Sequence, residues 1–361
     1  MRGFWDQLNK PIMVLAPMAD VTDAAFRFII AKYGKPPVMY TEFVSTDGLC
    51  SVGRDRLMID FKYSENEHPI VAQIFGATPE NFYKSAQLAK ELGFDGVDIN
   101  MGCPVKKVLN QQSCSALIKT PTLAQEIIDA TKEGAGDLPV SVKTRIGFYK
   151  EEIDTWLPKI LEKNPAALIV HLRTVKEMSK APAHWELMPQ IVEMVKSIPE
   201  EQRPYLLGNG DIMNLEEAEQ KVKETGCDGV MLGRAIFGNP WLFANWRKTN
   251  RNAEFNSASQ VEIPNQVRDC DDQACPDGSQ DSGLHVSIEE KMRVMIEHTY
   301  LFEKMFFGIK SFDVMKKHYK AYVNGFNGAK ELRMELFESA KTAADVERII
   351  LKYFSGLKIQ K

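Results

Sequence analysis

The stretch Asp98-Ile99-Asn100-Met101-Gly102-Cys103-Pro104-Val105-Lys106-Lys107 ends an apolar run in a single thiol, stiffens it with proline and follows it with two lysines. A thiol with a reference pKa of about 8.5 is mostly protonated at neutral pH, so a rigidly presented Cys103 could donate a proton. A buried structural group is the plainer reading of any one cysteine. Lys143 lies in Pro139-Val140-Ser141-Val142-Lys143-Thr144-Arg145, where alternation turns its side chain toward the mouth or interior, and a buried ammonium there needs an anion. Three readings are open: a lysine that snorkels or pairs with a carboxylate, a Schiff-base amine, or a cation beside an electron-rich cofactor ring. His171-Leu172-Arg173-Thr174 closes another run; alone, such a histidine is most simply structural. Gly208-Asn209-Gly210-Asp211 and Gly233-Arg234 combine glycine, which permits close backbone approach, with a forked cation. Together they point to a phosphate-bearing ligand, although each alone is an ordinary turn.

The elements that position these residues recur. Eight short apolar runs, Ile12–Ala16, Val38–Thr41, Ile70–Phe75, Gly96–Ile99, Val140–Thr144, Leu168–His171, Tyr205–Gly208 and Gly229–Leu232, alternate with helical patterns, as in a parallel sheet. Glu91–Gly102 (ELGFDGVDINMG) and Glu224–Ala235 (ETGCDGVMLGRA) share one wording: helix end, glycine cap, Asp-Gly turn, buried strand, glycine-bearing loop. Such spacing predicts an α/β chain built as a closed (β/α)8 TIM barrel, whose chemistry sits at the C-terminal strand ends. An open doubly wound sheet is the alternative, but the first run leads into APMADVTD, which has no G-x-G-x-x-G turn.

With 361 residues, 44% hydrophobic, the chain can bury one large core and still supply a smaller unit. No run approaches the roughly 20 apolar residues that cross a bilayer, and the first residues lack a secretory h-region; the cytoplasm and no membrane partner are expected. Six cysteines without regular spacing read as reduced thiols. A net charge of -4 excludes a globally basic nucleic-acid binder, yet Val286–Lys361 carries 14 Lys and Arg against 10 Asp and Glu. Periodicity is absent from residues 248–285, read as a polar, mobile linker in which Cys270 and Cys275 are incidental thiols; no metal site is read. Beyond it, apolar residues at spacings of three and four, including Met292, Met295, Met315 and Tyr319, predict a small C-terminal helical-bundle domain. The division is 1–247, 248–285 and 286–361.

The order and spacing of APMADVTDAAFR, TEFVS, QIFGATPE, DINMGCPVKKV, VSVKTRIG, VHLRT, AHW, GNGDI, GCDGVMLGRAIFGNPWLF and MKKHYKAYVNGFNGAKELR resemble the tRNA-dihydrouridine synthase family across nearly all the chain except residues 248–285. The resemblance implies reduction of a uridine in tRNA with NADPH as electron donor, FMN as cofactor, and the cysteine of the N-x-G-C-P motif, here Cys103, as the acid that protonates C5. It implies Lys143 beside the flavin ring, Gln73 hydrogen-bonded to it, Pro17, Met18 and Ala19 lining it, and His171 near ring or phosphate. Asn209, Gly210, Asp211, Gly233 and Arg234 would hold the phosphate. Asn100 and Arg173 would face the substrate nucleotide. A uracil must be turned out of its stack to enter such a site, and Lys106, Lys107, Lys310, Lys316, Lys317 and Lys320 are candidates to grip the backbone, the late ones reading equally as a solvated helix face.

The chain departs from that family's pattern in Leu109–Ser115, where a glycine-containing run is common, in His171-Leu172-Arg173 in place of His-Gly-Arg, and in KEMSKAPAHW. Other readings of the same residues are an FMN barrel acting on a small molecule, an aldolase-type barrel with Lys143 as nucleophile, and a non-enzymatic RNA-binding protein.

Overall fold

The computed structural model describes residues 2–244, 246 and 286–359. Among these described residues nine strands run in chain order: β1 (Ile12–Leu15), β2 (Met39–Tyr40), β3 (Val44–Ser45), β4 (Ile70–Phe75), β5 (Gly96–Met101), β6 (Val140–Arg145), β7 (Ala167–His171), β8 (Tyr205–Asn209) and β9 (Gly229–Leu232). Every pairing is parallel, in the order β1-β9-β8-β7-β6-β5-β4-β2. A bridge between Val14 and Val38 brings the two ends together, giving a nearly closed barrel of eight strand positions ringed by helices.

The second position differs from the single run expected over Val38–Thr41. It breaks at Thr41–Phe43 and resumes as β3, which also pairs with β4. The break carries Glu42, only 5% exposed, between Asp20 and Lys310.

Two apolar layers hold the barrel. One lies between strands and helices; the other fills the interior with Val14, Val71, Ile169, Leu207 and Met231 and is closed at the N-terminal end by Trp5, 1% exposed, on the turn Gly3–Gln7. The repeated wording has a repeated purpose. Asp95 accepts the Ile70 N–H at 2.6 Å and Asp228 accepts the Leu206 N–H at 2.8 Å, so each Asp-Gly turn pins the start of the neighbouring strand. Gly93 and Gly226 take φ of 81° and 77° at the preceding helix ends, a left-handed cap that suits glycine.

The polar stretch over residues 248–285, with Cys270 and Cys275, lies outside the described residues. After it come helices Ile288–Phe306, Met315–Tyr322, Ala329–Ser339 and Ala343–Ile359. Ser287 starts the first by accepting the Glu290 N–H, a cap worth about 1 kcal/mol. The helical unit docks on helix Ala24–Gly34. Glu297 takes hydrogen bonds from Lys32 and Tyr33, both at 2.6 Å, while Phe26 stacks on His298 and tilts against His318. Both histidines are fully buried, and their ring nitrogens have no hydrogen-bond partner among the described residues.

Lys310 makes the second tie. Its amine lies 2.8 Å from Glu42 and 2.9 Å from Asp60 with the side chain 16% exposed, so it is spent inside the protein and is not free to grip a phosphate. Glu42 uses its other oxygen to accept the Asp20 N–H.

Candidate active site at the mouth of the barrel

Above the apolar interior, inward-facing positions turn polar. Register aligns Gln73 with Asp98, Asp98 with Ser141, and Asn100 with Lys143. The side chains form a chain: Asn100 Nδ2 donates to Gln73 Oε1 at 3.0 Å, Gln73 Nε2 to Asp98 at 2.7 Å, and Ser141 Oγ to Asp98 at 2.6 Å. Burial raises Asp98 to about 6, against the hydrogen bonds of Ser141 and Gln73 and the charge of Lys143. Asn100 Oδ1 in turn accepts the N–H groups of Gly102 and Cys103, both at 3.0 Å. Asn100, expected to face a substrate, therefore has its amide engaged in shaping the cysteine loop, and Gln73 has both ends engaged as well.

Arg145 braces that loop from the next strand. It donates to the carbonyls of Gly102 at 2.7 Å, Thr174 at 3.0 Å and Met178 at 2.9 Å, tying the connections after β5 and β7 together. Hydrogen bonding with the Cys114 thiol lowers Cys103 to about 7; burial opposes this, while the Val105 backbone, Arg145 and Lys143 assist. Lys143 is half-buried and held at about 8, chiefly by desolvation and then by repulsion from Arg145, with Asp98 and Cys103 attracting it. Its amine donates to Asn209 Oδ1 at 3.2 Å, and Asn209 Nδ2 donates to the Met231 carbonyl at 2.7 Å, which fixes the amide's orientation.

A cavity of about 220 Å³ opens beside Lys143, bounded by Pro17, Met18, His171, Asn209, Asp211 and Arg234, with Gly210, Gly233 and Arg173 also in its wall. Ala19, expected with Pro17 and Met18, is exposed and outside this wall. Arg173, expected to face a substrate, belongs to the same wall: 3% exposed, it donates to the Ala181 carbonyl at 2.6 Å and shares Asp211 with Arg234. Its hydrogen bond at 3.2 Å makes His171 Nε2 an acceptor. Burial, reinforced by Arg145, Lys143, Arg173 and Arg234, holds His171 well below its usual range, so the ring is neutral. Hydrogen bonding to Arg173 holds Asp211 below the ordinary carboxylate range.

Glycine is required at Gly210. Its φ is 135°, and an added Cβ would lie 2.7 Å from the Ala183 side chain. Trp185 Nε1 donates to the Gly210 carbonyl at 2.8 Å, so the Ala-His-Trp segment buttresses the Gly208–Asp211 loop.

Lys106 and Lys107 are exposed on the turn Lys106–Leu109, directly after the cysteine. Lys316 and Lys317 stand elsewhere, on the helical unit, where Lys316 pairs with Asp313 at 2.7 Å and Lys317 with Asp20 of the first mouth loop at 3.3 Å. Sequence reasoning passed over Asp98, Ser141 and Cys114. Asp98 and Asn100 are two apart on one strand, a signal that both face inward; nothing in the spacing marks Cys114.

A family model described as dihydrouridine synthase (Dus) matches residues 14–355. A probable tRNA-dihydrouridine synthase of Staphylococcus aureus (strain N315) is 39% identical over 346 residues, 94% of this chain and 93% of its own length. Probable tRNA-dihydrouridine synthase 2 of Bacillus subtilis (strain 168) is 37% identical over 365 residues, 99% of each. The chain belongs to the dihydrouridine synthase family. Histamine dehydrogenase from Rhizobium sp. 4-9 shares its barrel fold with a TM-score of 0.50 at 13% identity, covering 66% of this chain and 45% of that one.

Proposed function

We propose that this chain reduces the C5–C6 double bond of a uridine in cytoplasmic tRNA to 5,6-dihydrouridine, with FMN as bound cofactor, NADPH as reductant and Cys103 as the acid at C5. The observation that carries the reading is the pairing of a half-buried amine, Lys143, with a partly exposed thiol, Cys103, each within electrostatic reach of the other at the ends of adjacent strands.

The residues present fit a flavin mononucleotide. Lys143, Arg173 and Arg234 outnumber the one carboxylate, Asp211, in the cavity wall, a donor set suited to an anion. An added Cβ at Gly233 would touch Ala16 and Met18 only at 3.7 Å, leaving an open cradle. Asn209, Gly210, Asp211, Gly233 and Arg234 would hold the phosphate end, with His171 as a neutral hydrogen-bonding neighbour and Pro17 and Met18 against the ring. When bound, the reduced flavin would supply hydride to C6.

Lys143 contributes a positive charge held in place by Asn209 at the edge of the cavity, where a preorganised charge acts strongly. Cys103 holds the proton to be given to C5, and Asn100 and Arg145 fix the loop that aims it. Lys106 and Lys107 stand where RNA phosphates would approach the mouth, with Lys316 and Lys317 as further contacts.

The test begins with purified protein, which should be yellow and bleach with NADPH under anaerobic conditions. Dihydrouridine formation on tRNA, measured by nucleoside mass spectrometry, should be nearly abolished in Cys103→Ala while flavin stays bound. Undiminished product from that variant would remove Cys103 from the acid role.

A further inference from the structure

Cys114 occupies a backbone position that a side chain disfavours. Its φ is 55°, the left-handed region in which Cβ crowds the carbonyl. Strain of this kind persists where the surrounding structure gains from it. Cys114 lies beside Cys103, near enough for each thiol to shift the other's titration. Ser115 fastens the same turn, Cys114–Lys119, by donating to the Cys103 carbonyl at 2.7 Å. The pair is asymmetric: Cys103 is partly exposed at the mouth, whereas Cys114 has no exposed surface.

We propose that Cys103 and Cys114 form a two-cysteine, peroxide-reactive site, in which oxidation of the exposed thiol is resolved by the buried one into a reversible disulfide. The Cys103 thiolate attacks one oxygen of hydrogen peroxide, the O–O bond breaks, and the departing hydroxide takes a proton to become water. A sulfenic acid is left. The Cys114 sulfur then attacks the Cys103 sulfur, the S–O bond breaks, and the hydroxyl leaves with the thiol proton as a second water. Two electrons pass from the two thiols to the peroxide, and a dithiol reductant returns them.

The charges are disposed for this order of events. With the thiol of Cys103 at about 7, a large fraction is thiolate at neutral pH, and Cys114, pushed well above its usual range by burial, stays protonated until the sulfenic acid forms. Without a resolving thiol, a sulfenic acid goes on to sulfinic acid, which ordinary reductants do not reverse. The disulfide does not depend on the tRNA reaction; only its consequence does, since a Cys103 in disulfide linkage has no proton to give.

The experiment treats the full-length holoprotein with a few equivalents of hydrogen peroxide, blocks the remaining thiols and maps the peptides by mass spectrometry. Wild-type protein should yield the Cys103 and Cys114 peptides joined, two hydrogens lighter than their sum and separated by dithiothreitol. Cys114→Gly, which accepts the left-handed backbone, and Cys114→Ser should instead accumulate Cys103 sulfinate that dithiothreitol does not restore. The proposal is overturned if Cys103 crosslinks to a different cysteine, if wild type gains sulfinate as fast as Cys114→Gly, or if Cys114→Ser protects as well as the sulfur does. Peptide mapping reads the disulfide even in a preparation inactive on tRNA, so this result and the fate of the tRNA reading are separable.

Discussion

The side-chain oxygen of Asn100 accepts the backbone N–H of Cys103 at 3.0 Å. The amide that ends a buried strand thus sets the position of the thiol three residues on. Asn100→Ala removes that acceptor and the one for Gly102, and a misplaced reacting group costs on the order of 100-fold in rate. Turnover on tRNA should fall by about that factor with KM for tRNA little changed, and wild-type turnover would show that the loop holds itself.

The pH dependence follows from the thiol. A proton donor must be protonated, and Cys103 titrates at about 7, so single-turnover reduction should decline as pH rises through that value, approaching about tenfold per unit beyond it. A rate flat to pH 9 would mean that another group supplies the proton.

Lys143→Met keeps an unbranched chain of similar bulk but deletes the charge. Flavin retained after desalting should drop, and the rate of uridine reduction in flavin-saturated protein should fall roughly 100- to 1000-fold, the usual loss for one preorganised electrostatic donor. Absorbance and nucleoside analysis together check this; full activity would return Lys143 to a structural role.

Lys310→Met would leave Glu42 and Asp60 facing each other without their shared cation. Breaking a buried ion pair from one side costs about 3–5 kcal/mol, to be read from denaturant unfolding. Lys316→Ala with Lys317→Ala should instead leave unfolding unchanged and weaken tRNA binding, with a shallower salt dependence.

Acid should loosen the contact between barrel and helical unit. Burial holds His318 down to about 3 and, together with His318, holds His298 well below its usual range. Unfolded histidines near 6.5 take protons that the folded ones refuse, so stability is complete above about 6.5 and falls as pH drops toward the folded values, by up to ~1.4 kcal/mol per unit for each ring. Thermal melts from pH 7 to 4 should show the fall, and His298→Leu with His318→Leu should flatten it.

Much of this molecule was legible before any coordinates. Strand runs, the glycine caps at Gly93 and Gly226, and the convergence of Lys143, His171, Asn209 and Arg234 follow from periodicity and from where polar residues interrupt apolar runs. The break at Glu42 was not legible, because two short strands sharing one partner look like one strand in a one-dimensional pattern. Nor were the fates of Arg173 and Lys310. A cation's type is written in sequence, but whether it meets an internal carboxylate or the solvent depends on tertiary pairing between segments up to 268 residues apart. Cys114 was hidden for a related reason, since its tie to Cys103 crosses a loop with no regular period.

Glu42 grips the Asp20 backbone with one oxygen and the Lys310 amine with the other. The loop after β1 and the helical unit are therefore joined through a single carboxylate. Losing that one side chain would release the loop's backbone tie and one of the two carboxylates on Lys310 at once.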